Sequence, residues 1–388
     1  MKIAIVHDWL TGMRGGEKVL EELCDLYPEG DIYTLVHCPG TVSPTIERHA
    51  IHTSFVQQLP RVRRAYRHYL PLFPLAIRAF DLHGYDLILS SSHCVAKGVR
   101  VPRGACHISY VHTPMRYIWD QYEVYFGQDR CRAGVRYAMR LLRPWLQRFD
   151  VTSSRRVHYF VANSRHVAGR IQRCYGRDST VIHPPLDLNS FSLSHRDEGY
   201  YLIVSAFAPY KRVDLAVEAF NTLGAPLRII GTGQEEVRLT QAAGPNIQLL
   251  GWRSDQEVRE AYAGCRALIF PGEEDFGIVP LEAMATGKPV IAYSKGGVLE
   301  TVIPLNSPQA AAPAWSSAAA PTGVFFHEQR PEALVEAIRY FESHQHEFHP
   351  VDIREHARSF DRQRFRVKIR GFVESRYLEF KDGVSQVS

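Results

Sequence analysis

Residues 2–27 read "KIAIVHDWLTGMRGGEKVLEELCDLY". The first part is an apolar, β-branched run that predicts a strand; Thr11, Gly12, Gly15 and Gly16 break it, and Val19, Leu20, Leu23 and Leu26 then recur at helical spacing. Strand, glycine loop, helix is the opening unit of a doubly wound α/β fold. Outward from it, "DIYTLVH", "DLILSSS", "ACHISYVHT", "HYFVANS" and "STVIHPP" supply further strands, enough for one complete α/β layer. The same grammar restarts at residues 200–220, "YYLIVSAFAPYKRVDLAVEAF", and continues through "PLRIIGTG", "NIQLLGW", "ALIFPG" and "PVIAYS". Two Rossmann-like domains are expected, 1–190 and 191–369. A turn-rich linker is expected from Pro184-Pro185 to Asp197, with a C-terminal helix, about 370–388, returning to the first domain. A chain of 388 residues with 45% hydrophobic content is long enough for two cores. Residues 304–321, rich in Ala, Pro and Ser, read as a surface insertion.

The opening "MKIAIVHDWL" lacks the apolar length of a signal peptide, and no stretch approaches the roughly 20 apolar residues of a membrane span. Seven cysteines form no C-x-x-C pair, which suits isolated thiols in a reducing compartment. A cytoplasmic address is expected. The net charge of +5 conceals an asymmetry: residues 51–190 hold 21 Lys and Arg against 8 Asp and Glu, a surplus of +13, so the rest sums to −8.

Residues 272–290, "GEEDFGIVPLEAMATGKPV", place Glu274 and Glu282 eight positions apart around Gly277 and Pro280. Pro280 suits the first helical position and Gly287 the position just past the end, so a helix "PLEAMAT" is expected. Before it, Phe276-Gly277-Ile278 offers backbone N–H groups to an anion at the positive end of the helix dipole. A phosphate fits there, with a polyol acceptor on each side.

These motifs, with "SAFAPYK", "RIIGTG", "NIQLLGW", "GG" followed by Glu300, and "TGVFF", resemble the family-4 retaining glycosyltransferases of the GT-B fold, whose two Rossmann-like domains face a central cleft. The match is most specific over 200–303. The resemblance implies an acceptor-binding first domain and a nucleotide-sugar-binding second one. It also implies that Glu282 holds the nucleotide ribose, Glu274 lies by the donor sugar, and Lys211 contacts the diphosphate. The family's arginine, five positions before that lysine, is Ala206 here; Arg14 and Arg116 are equal candidates for the second cation. Gly15-Gly16 matches the family loop that approaches the donor phosphates, and is also ordinary turn chemistry. His112 in "YVHTPMRYIWD" matches the histidine that reaches the donor sugar. Asn163-Ser164 matches the family's "NS" and also suits an N-cap.

No D-x-D triplet occurs and no His/Cys cluster has metal spacing. Neither metal nor cofactor is expected, and transfer is expected to retain configuration on one face of the sugar. Within the family, "SAFAPYKRVDLAVEAF" and "EEDFGIVPLEAMATGKPV" resemble bacterial mannosyltransferases of O-antigen and exopolysaccharide assembly, which implies GDP-mannose as donor. A glycan or polyprenyl-diphosphate-linked oligosaccharide is the implied acceptor. The alternatives are a sugar-nucleotide 2-epimerase of the same architecture and a non-catalytic nucleotide-binding module. An NAD oxidoreductase is disfavoured because "GTGQEE" lacks the third glycine.

Two basic segments, 59–80 and 130–148, interleave arginine with aromatic residues. They fit an anionic membrane surface, a solvated face whose aromatics are core, or nucleic acid. Nucleic acid is set aside because no recognised binding motif accompanies the charge. The membrane is preferred, giving a peripheral protein on the inner face.

Overall fold

The structure, a computed structural model, describes residues 1–127, 131, 133–305 and 320–385. Arg130 and Arg132 of the second basic segment, residues 306–319 of the Ala/Pro/Ser-rich stretch and residues 386–388 of the expected return helix lie outside the described residues.

The chain forms two compact units, residues 1–185 with those from Arg362 onward, and Leu186–Asp361. The first division, 185/186, falls at the start of the expected linker, whose remaining residues belong to the second unit; the second, 361/362, precedes the expected 369/370 because Arg362, Phe365, Arg366 and Ile369 already pack on the first unit. Leu186 and Leu188 are buried in the core of the second unit. Leu186 donates its N–H to the Phe360 carbonyl at 2.9 Å. The Arg354 guanidinium reaches the carbonyl of Phe191 at 2.8 Å.

The first unit contains β1 Ile3–His7, β2 Asp31–Thr34, β3 Ile51–Thr53, β4 Leu87–Ser92, β5 Cys106–Val111, β6 Tyr159–Ala162 and β7 Thr180–Val181. They form one parallel sheet in the order β3-β2-β1-β4-β5-β6-β7. β3 had no sequence signal: three residues at a sheet edge are too short to show a period. The apolar runs of β1, β4 and β5 are buried on both faces, as parallel strands covered by helices must be. The chain lays down β1, β2 and β3 in one direction and then returns to place β4 on the other side of β1. That reversal is the topological switch point, and the carboxyl ends of β1, β4 and β5 meet beside it. Register pairs His7 of β1 with Ser91 of β4.

The helix Arg362–Ser385 belongs to this unit. Phe365, Ile369 and Val373 enter the core beside Ile5 and Leu23, each contributing about 1.5–3 kcal/mol. Arg362 pairs with Glu22 at 2.7 Å, and Arg366 pairs with both Glu22 and Asp25.

The two basic segments behave differently. In 59–80, Tyr66 and Phe73 are core residues while Arg61, Arg63, Arg64 and Arg67 are exposed, so those aromatics are not available to a membrane. In the helix Ala133–Ser154, Met139, Leu146 and Phe149 face the core. Asp150 on that same face accepts from Trp119 Nε1 at 2.8 Å and Tyr175 Oη at 2.9 Å, and pairs with the buried Lys97. The opposite face carries Tyr137, Leu141 and Trp145 at successive four-residue steps, 67%, 64% and 42% exposed, with Arg140 and Arg148 exposed among them.

The second unit contains β8 Tyr201–Val204, β9 Leu227–Ile230, β10 Ile247–Gly251, β11 Ala267–Phe270, β12 Val290–Tyr293 and β13 Gly323–Phe326. The sheet is again parallel, in the order β10-β9-β8-β11-β12-β13, with its switch point between β8 and β11. Both sheets are therefore Rossmann-like and doubly wound.

Candidate functional site

In the second unit, the loops after β8, β11 and β12 hold one another through glycines. The loop after β8 ends in a tight turn, Pro209–Lys211. A Cβ on Gly272, after β11, would lie 2.9 Å from Lys211 Cα, so glycine alone lets the two loops touch here. Gly297, after β12, donates its N–H to the Glu274 carbonyl at 2.8 Å. A Cβ on Gly296, at φ +89°, would lie 2.3 Å from that same carbonyl oxygen. The consecutive glycines thus serve as the back wall of the Glu274 loop. "GTG" at 231–233 is also a packing requirement, since a Cβ on Gly231 would meet the Ser205 carbonyl oxygen at 1.8 Å.

This packing brings Glu274 and Lys211 together. Lys211 Nζ donates to Glu274 Oε1 in a direct ion pair, the side chains 15% and 17% exposed. Its neighbour Arg212 has a left-handed backbone, φ 52°, and turns onto Asp214 at 3.2 Å. Asp214 and Glu235 also engage Arg238, at 3.3 and 2.9 Å. Ala206 is exposed at the end of β8.

The helix expected to begin at Pro280 begins at Ile278 and runs to Ala285, with Gly277 at its N-cap in a left-handed conformation, φ +84°. Pro280 is therefore its third residue. Its missing N–H costs nothing there, because the first four helical N–H groups lack intrahelical acceptors anyway. Among the described residues no side chain caps this helix. Phe276 is buried against Phe360, ring centroids 6.2 Å apart, so its side chain is committed to the core. The helix closes as expected at Gly287, φ +82°, with Lys288 N–H bonded to the Ala283 carbonyl at 3.0 Å.

Glu282 lies in the second turn of this helix and is 8% exposed. The wholly buried Tyr262 donates its hydroxyl to Glu282 Oε2 at 3.0 Å. Burial first, and the Glu282 charge second, push the phenol far above its ordinary range, so it remains a donor.

In the first unit, the carboxyl ends of β1, β4 and β5 carry a polar cluster around His112. Ser91 Oγ lies 2.8 Å from His112 Nε2 and 3.1 Å from His7 Nδ1. His7 Nε2 is 3.7 Å from Glu17 Oε1. Asp8, fully buried, accepts the backbone N–H groups of His93, Cys94, Val95 and Ala96 at 2.7, 2.9, 2.6 and 2.8 Å, and His93 Nδ1 lies 3.2 Å away. Burial raises the Asp8 carboxyl. The charges of His93 and His7, with these N–H groups, outweigh it and hold the carboxyl below the usual range. Burial, reinforced by the charges of His93 and His7, lowers His112 to about 3 and keeps it neutral. Gly16 stands against this cluster: a Cβ there would be 3.6 Å from His7 Cε1 and 3.7 Å from His112 Nε2. Gly15 is exposed. Asn163 donates to the His112 carbonyl at 3.0 Å, and Ser164 caps the helix Arg165–Tyr175 by accepting from Val167 N–H at 3.0 Å. The N-cap reading of "NS" therefore holds for Ser164, while Asn163 is tied to the main chain of His112 instead.

His7, Asp8, Glu17, Ser91, His93 and Tyr262 were not singled out in the sequence. Four of them sit at or just past the end of a central strand, the signal that picked out His112 and was not applied to β1 and β4. Among the described residues, no three His, Cys, Asp or Glu side chains are grouped to hold a metal ion.

Two family models match the chain: "Glycosyltransferase Family 4" over residues 13–190 and "Glycosyl transferases group 1" over 187–360. Among curated proteins, an uncharacterized glycosyltransferase of Methanocaldococcus jannaschii is 37% identical over 112 residues, 28% of this chain and 32% of its own length. A GDP-mannose-dependent alpha-mannosyltransferase of Mycobacterium tuberculosis is 37% identical over 102 residues, 26% of this chain and 27% of its own. The O-antigen chain mannosyltransferase C of Escherichia coli is 26% identical over 200 residues, 44% and 53% of the two lengths. The matches thus span between about a quarter and about half of these relatives. Among solved structures, the sucrose-phosphate synthase of Thermosynechococcus elongatus superposes with a TM-score of 0.72 at 16% identity, over 98% of this chain and 100% of that one. The Anabaena protein HepE in complex with UDP and glucose gives 0.66 at 16% identity, over 97% and 100%. At such identities the likeness shows the fold alone.

Proposed function

We propose that this chain, which belongs to the glycosyltransferases with a family-4 first half and a group-1 second half, moves mannose from GDP-mannose to a glycan acceptor with retention of configuration. The observation that carries the reading is the Lys211–Glu274 pair at the carboxyl ends of the two central strands of the second unit, with Glu274 on the loop that leads into the uncapped start of the helix Ile278–Ala285. A cation, oriented N–H groups and a polyol acceptor side by side suit a sugar diphosphate. Glu282, held by Tyr262, is the ribose acceptor. His112 of the first unit serves the donor sugar.

In this reaction the bond from the sugar C1 to the leaving phosphate oxygen breaks, and the acceptor oxygen bonds C1 on the same face. The acceptor proton passes to that phosphate oxygen. Charge grows on the diphosphate as the bond breaks, where Lys211 and the helix start stabilise it without a metal ion. The mannosyltransferase relatives support the choice of sugar.

The acceptor is a glycan on a polyprenyl diphosphate in cell-envelope synthesis, with the protein bound peripherally to the cytoplasmic face. Among the described residues no helix is long and apolar enough to cross a membrane. The exposed face of the helix Ala133–Ser154 offers Tyr137, Leu141 and Trp145 to the interface and Arg140 and Arg148 to anionic headgroups.

Thermal shift and saturation-transfer NMR with GDP-, UDP- and ADP-sugars test the donor. Stabilisation by GDP-mannose is expected. Selective stabilisation by a UDP-sugar overturns the donor and keeps sugar transfer; no response to any nucleotide overturns the site.

A further inference from the structure

His112 stands at the end of a chain of side chains that starts on another element. Glu17, on the helix Gly15–Leu26, lies 3.7 Å from His7 Nε2; His7 Nδ1 is 3.1 Å from Ser91 Oγ; Ser91 Oγ is 2.8 Å from His112 Nε2. His7, Ser91 and Glu17 are all buried. Burial raises the Glu17 carboxyl, but the nearby imidazoles of His7 and His93 outweigh burial and hold it below its ordinary range, although at 3.7 Å Glu17 is beyond hydrogen-bond reach of His7 Nε2. An ionised carboxylate offers only acceptor oxygens, so this neighbour, 3.7 Å from the buried His7 Nε2, favours the tautomer that carries its proton on Nε2. The other charged groups facing His7 are Asp8 at the end of β1 and His93 at the end of β4, with Arg116 acting on His93.

A serine hydroxyl between two imidazole nitrogens has one hydrogen, so it donates to one and accepts from the other. With His7 neutral, Nδ1 is bare, Ser91 donates to it, and His112 must carry its proton on Nε2, leaving its Nδ1 an acceptor. With His7 protonated, every bond reverses and His112 Nδ1 becomes a donor. Because His112 itself stays neutral, its tautomer is what the chain can set.

We propose that His7 and Ser91 are positioning residues that fix the tautomer of His112, and so decide whether its Nδ1 accepts from or donates to a hydroxyl of the bound sugar. The consequence for transfer rests on the reading of His112 given above; the tautomer itself does not.

The test is the imidazole nitrogen spectrum of the full chain labelled with 15N-histidine, at pH 6 and pH 9, with His7 and His112 assigned by difference from His7→Gln and His112→Gln. Wherever His7 is neutral, His112 should show a protonated Nε2 and a bare Nδ1; wherever His7 is a cation, the reverse. In Ser91→Ala both His112 nitrogens should move to the averaged positions of mixed tautomers, and Ser91→Thr, which keeps the hydroxyl, should restore the wild-type pattern. If Ser91→Ala does not fold, Glu17→Gln removes the constraint from the other end, because an amide can face either form of Nε2, and should give the same mixing. Averaged His112 signals in the wild type, the wrong tautomer for the observed state of His7, or a wild-type pattern in Ser91→Ala overturns the proposal. In the transfer assay Ser91→Ala should lower kcat about tenfold, the size of one lost orienting hydrogen bond, with little change in donor KM. Mixed tautomers with undiminished kcat leave the chain standing and overturn the role given to His112.

Discussion

The ion pair between Lys211 and Glu274 makes an unusual demand on the donor, and Glu274→Gln exposes it. The lysine assigned to the diphosphate is already engaged by the carboxylate assigned to the sugar. When a phosphate oxygen takes the other side of the ammonium, two anions face each other across Nζ at about 6 Å, twice a charge-assisted hydrogen bond. At an effective dielectric of about 20, such a pair repels by about 3 kcal/mol. With the side chains 15% and 17% exposed, solvent and salt remove part of this, leaving about 1.4 kcal/mol. Glu274→Gln keeps the shape and removes the charge, so GDP should bind about tenfold more tightly to the variant. Transfer should nevertheless fall by about 100-fold, because the carboxylate beside the reacting sugar is gone. Isothermal titration with GDP and steady-state transfer on the same preparation read the two effects. An unchanged or weakened GDP affinity in a folded variant refutes the reasoning, since the carboxylate then does not compete with the nucleotide for the lysine.

Other expectations follow from the same geometry. Glu282→Ala should chiefly weaken GDP binding, and Tyr262→Phe should do so by a smaller factor, about tenfold, because it removes the hydrogen bond that orients Glu282; calorimetry with GDP on both variants checks the order. Transfer should survive EDTA, and complete loss restored by magnesium or manganese would show that another charge acceptor has been missed. The triple variant Tyr137→Ser, Leu141→Ser, Trp145→Ser should lose flotation on anionic vesicles by about 100-fold in partitioning while keeping its melting temperature, whereas reversing Arg61, Arg63, Arg64 and Arg67 should have the smaller effect of screened charges. Asp8→Asn should destabilise the chain by about 2–4 kcal/mol at pH 7. Because the folded carboxyl is held below its unfolded value of about 3.9, that difference should persist above it and shrink as the pH falls through the folded value, as urea melts across acid pH would show.

How far the sequence alone reached depended on the range of the interaction that carried each feature. Strand and helix periods, the αL glycine at 287 and the repeated strand, loop, helix grammar are written over fewer than about thirty residues, and both Rossmann-like sheets followed from them. What failed was also local, but silent: β3 is too short to show a period, and Pro280 is as comfortable at the third helical position as at the first. The linker was right only at its start, since the division falls just after Pro184-Pro185 and the residues beyond belong to the second unit. Its polar residues look solvent-bound, yet Arg354, more than 160 positions away, ties its carbonyls to the second core. In 59–80, Tyr66 and Phe73 took the core alternative over the preferred membrane one, because charge spacing says which side chains are wet and nothing about where their neighbours go.

The candidate site follows the same division. Glu274, Glu282 and Lys211 were readable one at a time; the contact that couples two of them spans 63 positions and depends on Gly272 and Gly296, whose role is visible only as the space a Cβ would fill. His7 and Ser91 are 84 positions apart and become neighbours because β1 and β4 pair in register across a switch point. That pairing could have been anticipated. In a doubly wound sheet the first strand lies beside the strand that begins the second half, so the residues closing those two strands must meet. Applied to "VHD" and "SSSHC", the rule places His7 and Asp8 against Ser91 and His93 before any coordinates exist. Applied to the second unit, it places the turn after "YLIV" against the loop after "ALIF", which is where Lys211 and Glu274 pair.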